Sequence, residues 1–340
     1  MTEQEQSISR RLYCFRVFAI LSVILAHSSY TEVQAETAVK LLGAFSTVGV
    51  VIFFTLSGCF FRDYGKGFGY FFRKKILWFL IPWAFWGVAT YSVNFLNNGF
   101  SFRLLPAGNY LIGNGSYLYY LSVLTILFLV YYRLHRYLWF HFLMIGLSLV
   151  SIFLTVVEVI PVEVSAEKWL FTSYNPYLNP LNWAGFFSAG ALLRKYRLFE
   201  RWYALPKLVH ACIGVFLLAG WLPLALLSNE SLNYYWARFS LLNELLLFGF
   251  LLEVVFLLPE TVARLLAPIG KWTLPIYLMH IVLVTHILTG RFSTNLPIAF
   301  LRPILTLAIC SGLLWAVRFL SEKMRTALIV CRILGIPRRS

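Results

Sequence analysis

Residues 16–27 read RVFAILSVILAH: an arginine, ten mostly apolar residues, then a histidine. The apolar run extends back to about residue 12 and forward to about 29, long enough to be read as a membrane-crossing helix. Arg16 and His27 are eleven positions apart. At about 100° per residue, eleven steps make three turns plus about 20°, so both side chains project from one face. At about 1.5 Å per residue they stand roughly 16 Å apart along the axis, too far to touch. One stripe of one helix therefore carries a fixed cation at one end and a titratable imidazole at the other. Each has a plain structural reading: Arg16 snorkels to the inner headgroups, and His27 ends the span at the interface. The functional reading is a shared tunnel, in which the arginine holds an anionic group and the histidine, with an ordinary pKa of about 6.5, moves protons.

The rest of the chain sets the context for that run. Its 340 residues are 60% hydrophobic, 18% aromatic and only 13% charged, with a mean hydropathy of +0.74. A soluble domain carries about 25% charge, so the fold class is an all-α polytopic membrane protein. A membrane β-barrel is not expected, because its strands alternate polar and apolar residues and these runs are continuous. The net charge of +15 falls between the apolar runs. It is read as topology and contact with anionic headgroups, and no surface for nucleic acid is left over. The five cysteines, Cys14, Cys59, Cys212, Cys310 and Cys331, form no CxxC or Cys/His pair. They predict free thiols, with neither a disulfide framework nor a metal site. SRRLYCFR followed by VFAILSVILA has the outline of a signal peptide, but no good small-x-small site follows. An uncleaved first helix is expected instead.

Apolar runs fall near 12–29, 41–61, 76–96, 117–134, 138–160, 181–194, 207–227, 239–258, 271–290 and 299–320, which predicts about ten spans in one membrane domain over 1–340. With both termini in the cytoplasm, 22 of the 29 Lys and Arg lie in cytoplasmic segments, six lie in outer segments, and Arg16 lies inside a span. That asymmetry fixes the expected orientation. The tail 321–340 mixes apolar and basic residues and is expected to lie on the cytoplasmic membrane surface.

Several stretches resemble one known family. Arg16-x10-His27 is similar to the first-helix motif of the acyltransferase-3 family of integral membrane acyltransferases. VGVVIFFTLSGCFF (48–61) resembles its FFxxSG motif, with Phe53, Phe54, Ser57 and Gly58 in place. FFRKKILWFLIPWAFW (71–86) looks like its basic loop. APIGKWTLPIYLMH (267–280) resembles its segment ending Tyr-Leu-x-His, here Tyr277 and His280, and NWAGFFSAGALLRKY (182–196) is a weaker match. The likeness spans the chain. It departs from the family where an acidic residue often precedes the arginine (here Tyr13 or Cys14), at Trp78 in place of a second arginine, and at SYLYYL where the fourth span often opens His-Leu-Trp. The resemblance implies transfer of an acyl group, commonly acetyl, from a cytoplasmic thioester donor such as acetyl-CoA. The acceptor it implies is a hydroxyl of a cell-surface glycan or its lipid-linked precursor, at a bacterial inner membrane. Arg16 and His27 carry over as the essential pair.

Such a transfer needs a base and a site that positions two reactants. His27 is the best base in the chain. Glu244, at a similar depth in the eighth span, is a candidate partner for it, with a bond to Asn243 or to lipid-facing water as the structural alternative. The roughly 16 Å between Arg16 and His27 matches an extended pantetheine arm. Arg16, with Arg73, Lys74 and Lys75, is expected to hold the donor phosphates; positive-inside anchoring also accounts for the cluster. Ser57 is expected in packing or donor contact, and Phe53 and Phe54 in the core. His280 is expected as a buried polar group. Aromatics of the outer loops, among them Tyr110, Trp169, Tyr174 and Trp236, suit either sugars or the membrane interface. The competing class is a transporter or flippase for lipid-linked glycan. Against it, the chain lacks broken-helix repeats and multiple intramembrane charges.

Overall fold

A computed structural model describes residues 3–28, 36–98, 104–159, 174–227, 235–284, 296–323 and 327–336. Trp169 and the far ends of several predicted spans lie outside these residues. The helices in chain order are α1 (Glu3–Ala26), α2 (Glu36–Ser46), α3 (Val48–Cys59), α4 (Phe68–Phe71), α5 (Leu77–Asn98) and α6 (Leu104–Ile112). They continue with α7 (Tyr119–Leu134), α8 (Leu138–Val156), α9 (Pro180–Lys195), α10 (Leu198–Tyr203) and α11 (Lys207–Leu227). The last are α12 (Ser240–Leu257), α13 (Glu260–Lys271), α14 (Thr273–Ile281), α15 (Leu296–Lys323) and α16 (Ala327–Leu334). No strand occurs among the described residues.

Each predicted apolar run carries a helix. Six stretches are long and apolar enough on their own to cross a membrane: Glu36–Cys59, Phe68–Val93, Leu138–Val156, Lys207–Leu227, Ser240–Leu257 and Phe300–Leu320. The pair Glu260–Lys271 and Thr273–Val284 passes the same test only when its two bent halves are taken together, as a broken span or a re-entrant loop. The first predicted span falls outside this set for a physical reason. Although α1 has 24 residues, Arg10, Arg11 and Arg16 occupy its middle, and only its last ten residues are continuously uncharged. Helices α7 and α9 have 16 residues each, shorter than the usual crossing length of about 20.

The chain forms two compact units, Met1–Phe53 with Leu193–Trp315, and Phe54–Leu192 with Ala316–Ser340. In the first, α1 packs against α2, α12, α13 and α14. Its small and polar residues fix these seams. A Cβ on Gly270 of α13 would overlap the Tyr13 carbonyl, and one on Gly49 of α3 would overlap the Ala19 carbonyl, so only glycine allows either approach. At the break between α2 and α3, Ser22 Oγ donates to the Phe45 and Ser46 carbonyls at 2.9 and 3.0 Å and accepts from the Gly49 N–H at 2.9 Å. The guanidinium of Arg11 is buried. It donates to the Val255 and Leu258 carbonyls at the end of α12 (2.9 and 2.7 Å) and to the Tyr203 hydroxyl (3.1 Å). A cation at a helix C-terminus satisfies orphan carbonyls and complements the macrodipole. On α11 and α12, His210 Nδ1 lies 2.5 Å from Glu253 Oε2, and Trp202 Nε1 donates to Glu253 Oε1 at 2.7 Å.

In the second unit, α3 and α9 cross at two glycines. A Cβ on Gly58 would overlap the Phe187 carbonyl, and one on Gly190 the Thr55 carbonyl. Phe54 stacks on Trp183 at 5.0 Å and meets Tyr120 edge-on at 4.8 Å. The tail helix α16 packs on α5.

Candidate active site

The site is built along one side of α1. No helix breaker interrupts the helix from Glu3 to Ala26, so the spacing read from the sequence holds to its last turn. His27 stands one residue past the end, its N–H bonded to the Ile24 carbonyl at 3.2 Å in a tighter turn. Arg16 is half-buried, with its guanidinium 5.6 Å from the centre of the Tyr13 ring. Across from α1, α13 and α14 meet at a bend of 62°. Proline explains the break. In a continuous helix the Pro275 ring would collide with the carbonyl four residues back, that of Lys271, and it has no N–H to bond there. The chain turns at Trp272, and Ile276 N–H resumes the ladder to the Trp272 carbonyl at 3.0 Å.

The bend lets both halves follow α1. At one end, Lys271 lies 5.5 Å from the centre of the same Tyr13 ring that holds Arg16. At the other, the rings of His27 and His280 lie 5.3 Å apart, tilted by 51°. His280 is fully buried, and its Nδ1 is 2.5 Å from the Tyr277 carbonyl. A carbonyl only accepts, so Nδ1 carries the proton and Nε2 is the basic nitrogen of the neutral ring. The Tyr277 ring lies 5.8 Å from that of His280.

The other candidates have these surroundings. Glu244 is buried on α12, and its Oε1 has no hydrogen-bond partner among the described residues. The neighbouring Asn243 has spent its amide: it donates to the Ala44 carbonyl (2.9 Å) and Thr47 Oγ1 (3.2 Å) and accepts from Trp221 Nε1 (2.8 Å). Phe53 is buried at the edge of the first unit. Phe54, Ser57 and Gly58 belong to the second, where Ser57 Oγ bonds with the Tyr120 hydroxyl at 3.1 Å and the motif packs α3 on α9. Arg73, Lys74 and Lys75 also belong to the second unit. They ride a π-helical turn, Phe72–Ile76, with Arg73 and Lys74 exposed and Lys75 over the Phe128 ring at 4.8 Å.

A family model described as an acyltransferase domain matches residues 10–317. The chain belongs to the acyltransferase-3 family. No curated protein and no solved structure matches it. The matched stretch takes in both histidines, Arg16 and the FFxxSG segment. The protein is thus a multi-pass membrane acyltransferase. Two groups of this acyltransferase escaped the sequence reading. One is the His27–His280 contact, for which the only signal was the Tyr-Leu-x-His likeness. The other is the α1–α13 seam with Arg10, Tyr13, Arg264 and Lys271, whose cations read in the sequence as topology alone. Their helical spacing, three to seven residues apart on each helix, was the available signal.

Proposed function

We propose that this acyltransferase moves an acyl group, acetyl in the simplest case, from acyl-CoA to a hydroxyl of a cell-surface glycan or its lipid-linked precursor. The proposed setting is a bacterial inner membrane. The observation that carries the reading is the His27–His280 ring contact beyond the end of the helix that holds Arg16. In this mechanism His27 takes the proton of the acceptor hydroxyl as its oxygen attacks the thioester carbonyl. The C–O bond forms, the C–S bond breaks, and the departing thiolate recovers the proton from His27. The products are the ester and free CoA. His280 is assigned, in preference to Glu244, as the group that orients His27 and shares the positive charge it gains. Arg16 anchors a donor phosphate, with the pantetheine arm running up α1 over roughly 16 Å. The cluster Arg73–Lys75 adds positive field that attracts an anionic donor.

The test pairs mass analysis of surface glycans with donor consumption by the purified protein. His27→Ala should lower transfer at least 10²-fold while glycan export continues. Arg16→Ala should raise KM for acyl-CoA. Export lost with normal acylation in His27→Ala would overturn the reading in favour of a flippase. Donor binding intact in Arg16→Ala, with activity lost, would remove the anchoring role.

A further inference from the structure

Between α1 and α13, an open cleft of about 300 Å³ lies on the seam beside Arg16. Its lining positions are 6, 9, 10 and 13 of α1 and 264, 267, 268 and 271 of α13, each set spaced i, i+3, i+4, i+7 so that one full stripe of each helix faces in. Three of these residues are cations: Arg10, Arg264 and Lys271. Among the described residues one carboxylate answers them, Glu260, which pairs with Arg10 at 2.6 Å and Arg264 at 3.4 Å. Lys271 has no carboxylate partner among the described residues and rests on the Tyr13 ring. Arg10 Nε is buried without a hydrogen-bond partner among the described residues. The cleft therefore holds surplus positive charge, the Lys271 ammonium and the Ser9 hydroxyl, with Ala267 and Pro268 as an apolar wall. Arginine forks and a lysine ammonium are the groups that recognise phosphate.

We infer that the α1–α13 cleft binds a phosphate group, held by Arg10, Arg264 and Lys271. Two sources share that chemistry: the nucleotide end of an acyl-CoA donor and the headgroup of an anionic phospholipid. Assigning the first rests on the acyl-transfer reading; the phosphate chemistry itself does not. Tyr13 joins the cleft to Arg16, since Arg16 and Lys271 sit on its one ring.

The experiment uses the full chain in nanodiscs of neutral phosphatidylcholine. Binding of CoA and of adenosine 3′,5′-bisphosphate is measured by calorimetry, and retention of phosphatidylglycerol by lipid mass analysis after purification. Arg264→Ala and Lys271→Ala should each weaken nucleotide binding about tenfold and reduce its salt dependence, while Lys271→Arg restores it and Arg201→Ala, on the exposed side of α10, leaves it unchanged. Gel filtration and melting temperature verify that each variant is folded. Weakened nucleotide binding supports the donor as source. Unchanged nucleotide binding with lost phosphatidylglycerol supports a lipid headgroup. Folded variants that keep both ligands at wild-type levels overturn the inference. Acyl-transfer activity is assayed in parallel: a cleft that binds phosphate in a protein with no transferase activity towards any acyl-CoA refutes the proposed reaction and leaves the cleft standing.

Discussion

His280 carries its proton on the nitrogen that faces the Tyr277 carbonyl, so the other nitrogen is left basic. His280→Gln is expected to lower kcat about 10²-fold with KM for acyl-CoA unchanged and the pH–rate profile altered. His280→Phe, which keeps an aromatic ring but no ring nitrogen, should fall as far; full activity in His280→Phe would reduce the residue to packing. Arg11 illustrates what sequence hides at this scale. It reads as one of many inner-side charges, yet it is buried and ties α1 to the end of α12. Arg11→Met should cost about 2 kcal/mol or more, since carbonyls that met a charged donor are left unpaired; thermal denaturation in detergent reads the loss. Arg16 and His27 were legible because both belong to one short stretch. The partner of His27 was not, because a contact between positions 27 and 280 exists only once the fold brings them together.

Helix existence was plain in the sequence, since each apolar run of sufficient length became one. The crossings were partly legible. Gly58 belongs to a recognised motif, but its opposite number, Gly190, stood in the weaker match, and only the structure shows that the two cross. Gly190→Ala should destabilise by about 1–3 kcal/mol by overpacking, and Gly58→Ala by a similar amount, both visible as lowered melting temperature with the donor site untouched. The α11–α12 seam depends on a buried pair. His210→Ala leaves the buried Glu253 carboxyl with the Trp202 N–H but without its partner on α11, and should cost up to about 3–5 kcal/mol. The double change His210→Phe with Glu253→Leu should recover most of that stability. If the single and double variants melt alike, the pair is not what holds the seam.

At the scale of the molecule, charge asymmetry was the strongest signal in the sequence and predicts which side each loop faces. A cysteine placed at Lys66 or Arg197, both exposed, should react with an impermeant maleimide only from the cytoplasmic side, and one at Arg238 only from the outside. The reverse pattern would invert the orientation. One loop charge also has a structural use. Asp63 sits in the loop between α3 and α4 and accepts from Arg136, beyond the end of α7, at 2.6 Å. That hydrogen bond holds its carboxyl below the usual carboxylate range. A depressed native pKa stabilises the fold above the unfolded value of about 3.9 and stops doing so as pH falls through the native value. Asp63→Asn should therefore lower stability by at most about 1 kcal/mol at neutral pH, the pair being exposed, and by progressively less as pH falls below about 3.9. The spans themselves were harder to count from sequence, because α1 interleaves arginines with apolar residues and α7 and α9 are short.

The bend at Trp272 turns a spacing into a clock setting. Pro275 fixes where α14 starts, and five steps later His280 must point at α1. Removing one residue between them would swing the imidazole by about 100°, away from His27, without altering any residue named as functional. Removing four would return it to roughly the same bearing but one turn lower, about 6 Å short of its partner. The reach of this acyltransferase along α1 is thus encoded as an interval in the chain as much as in the residues at either end of it.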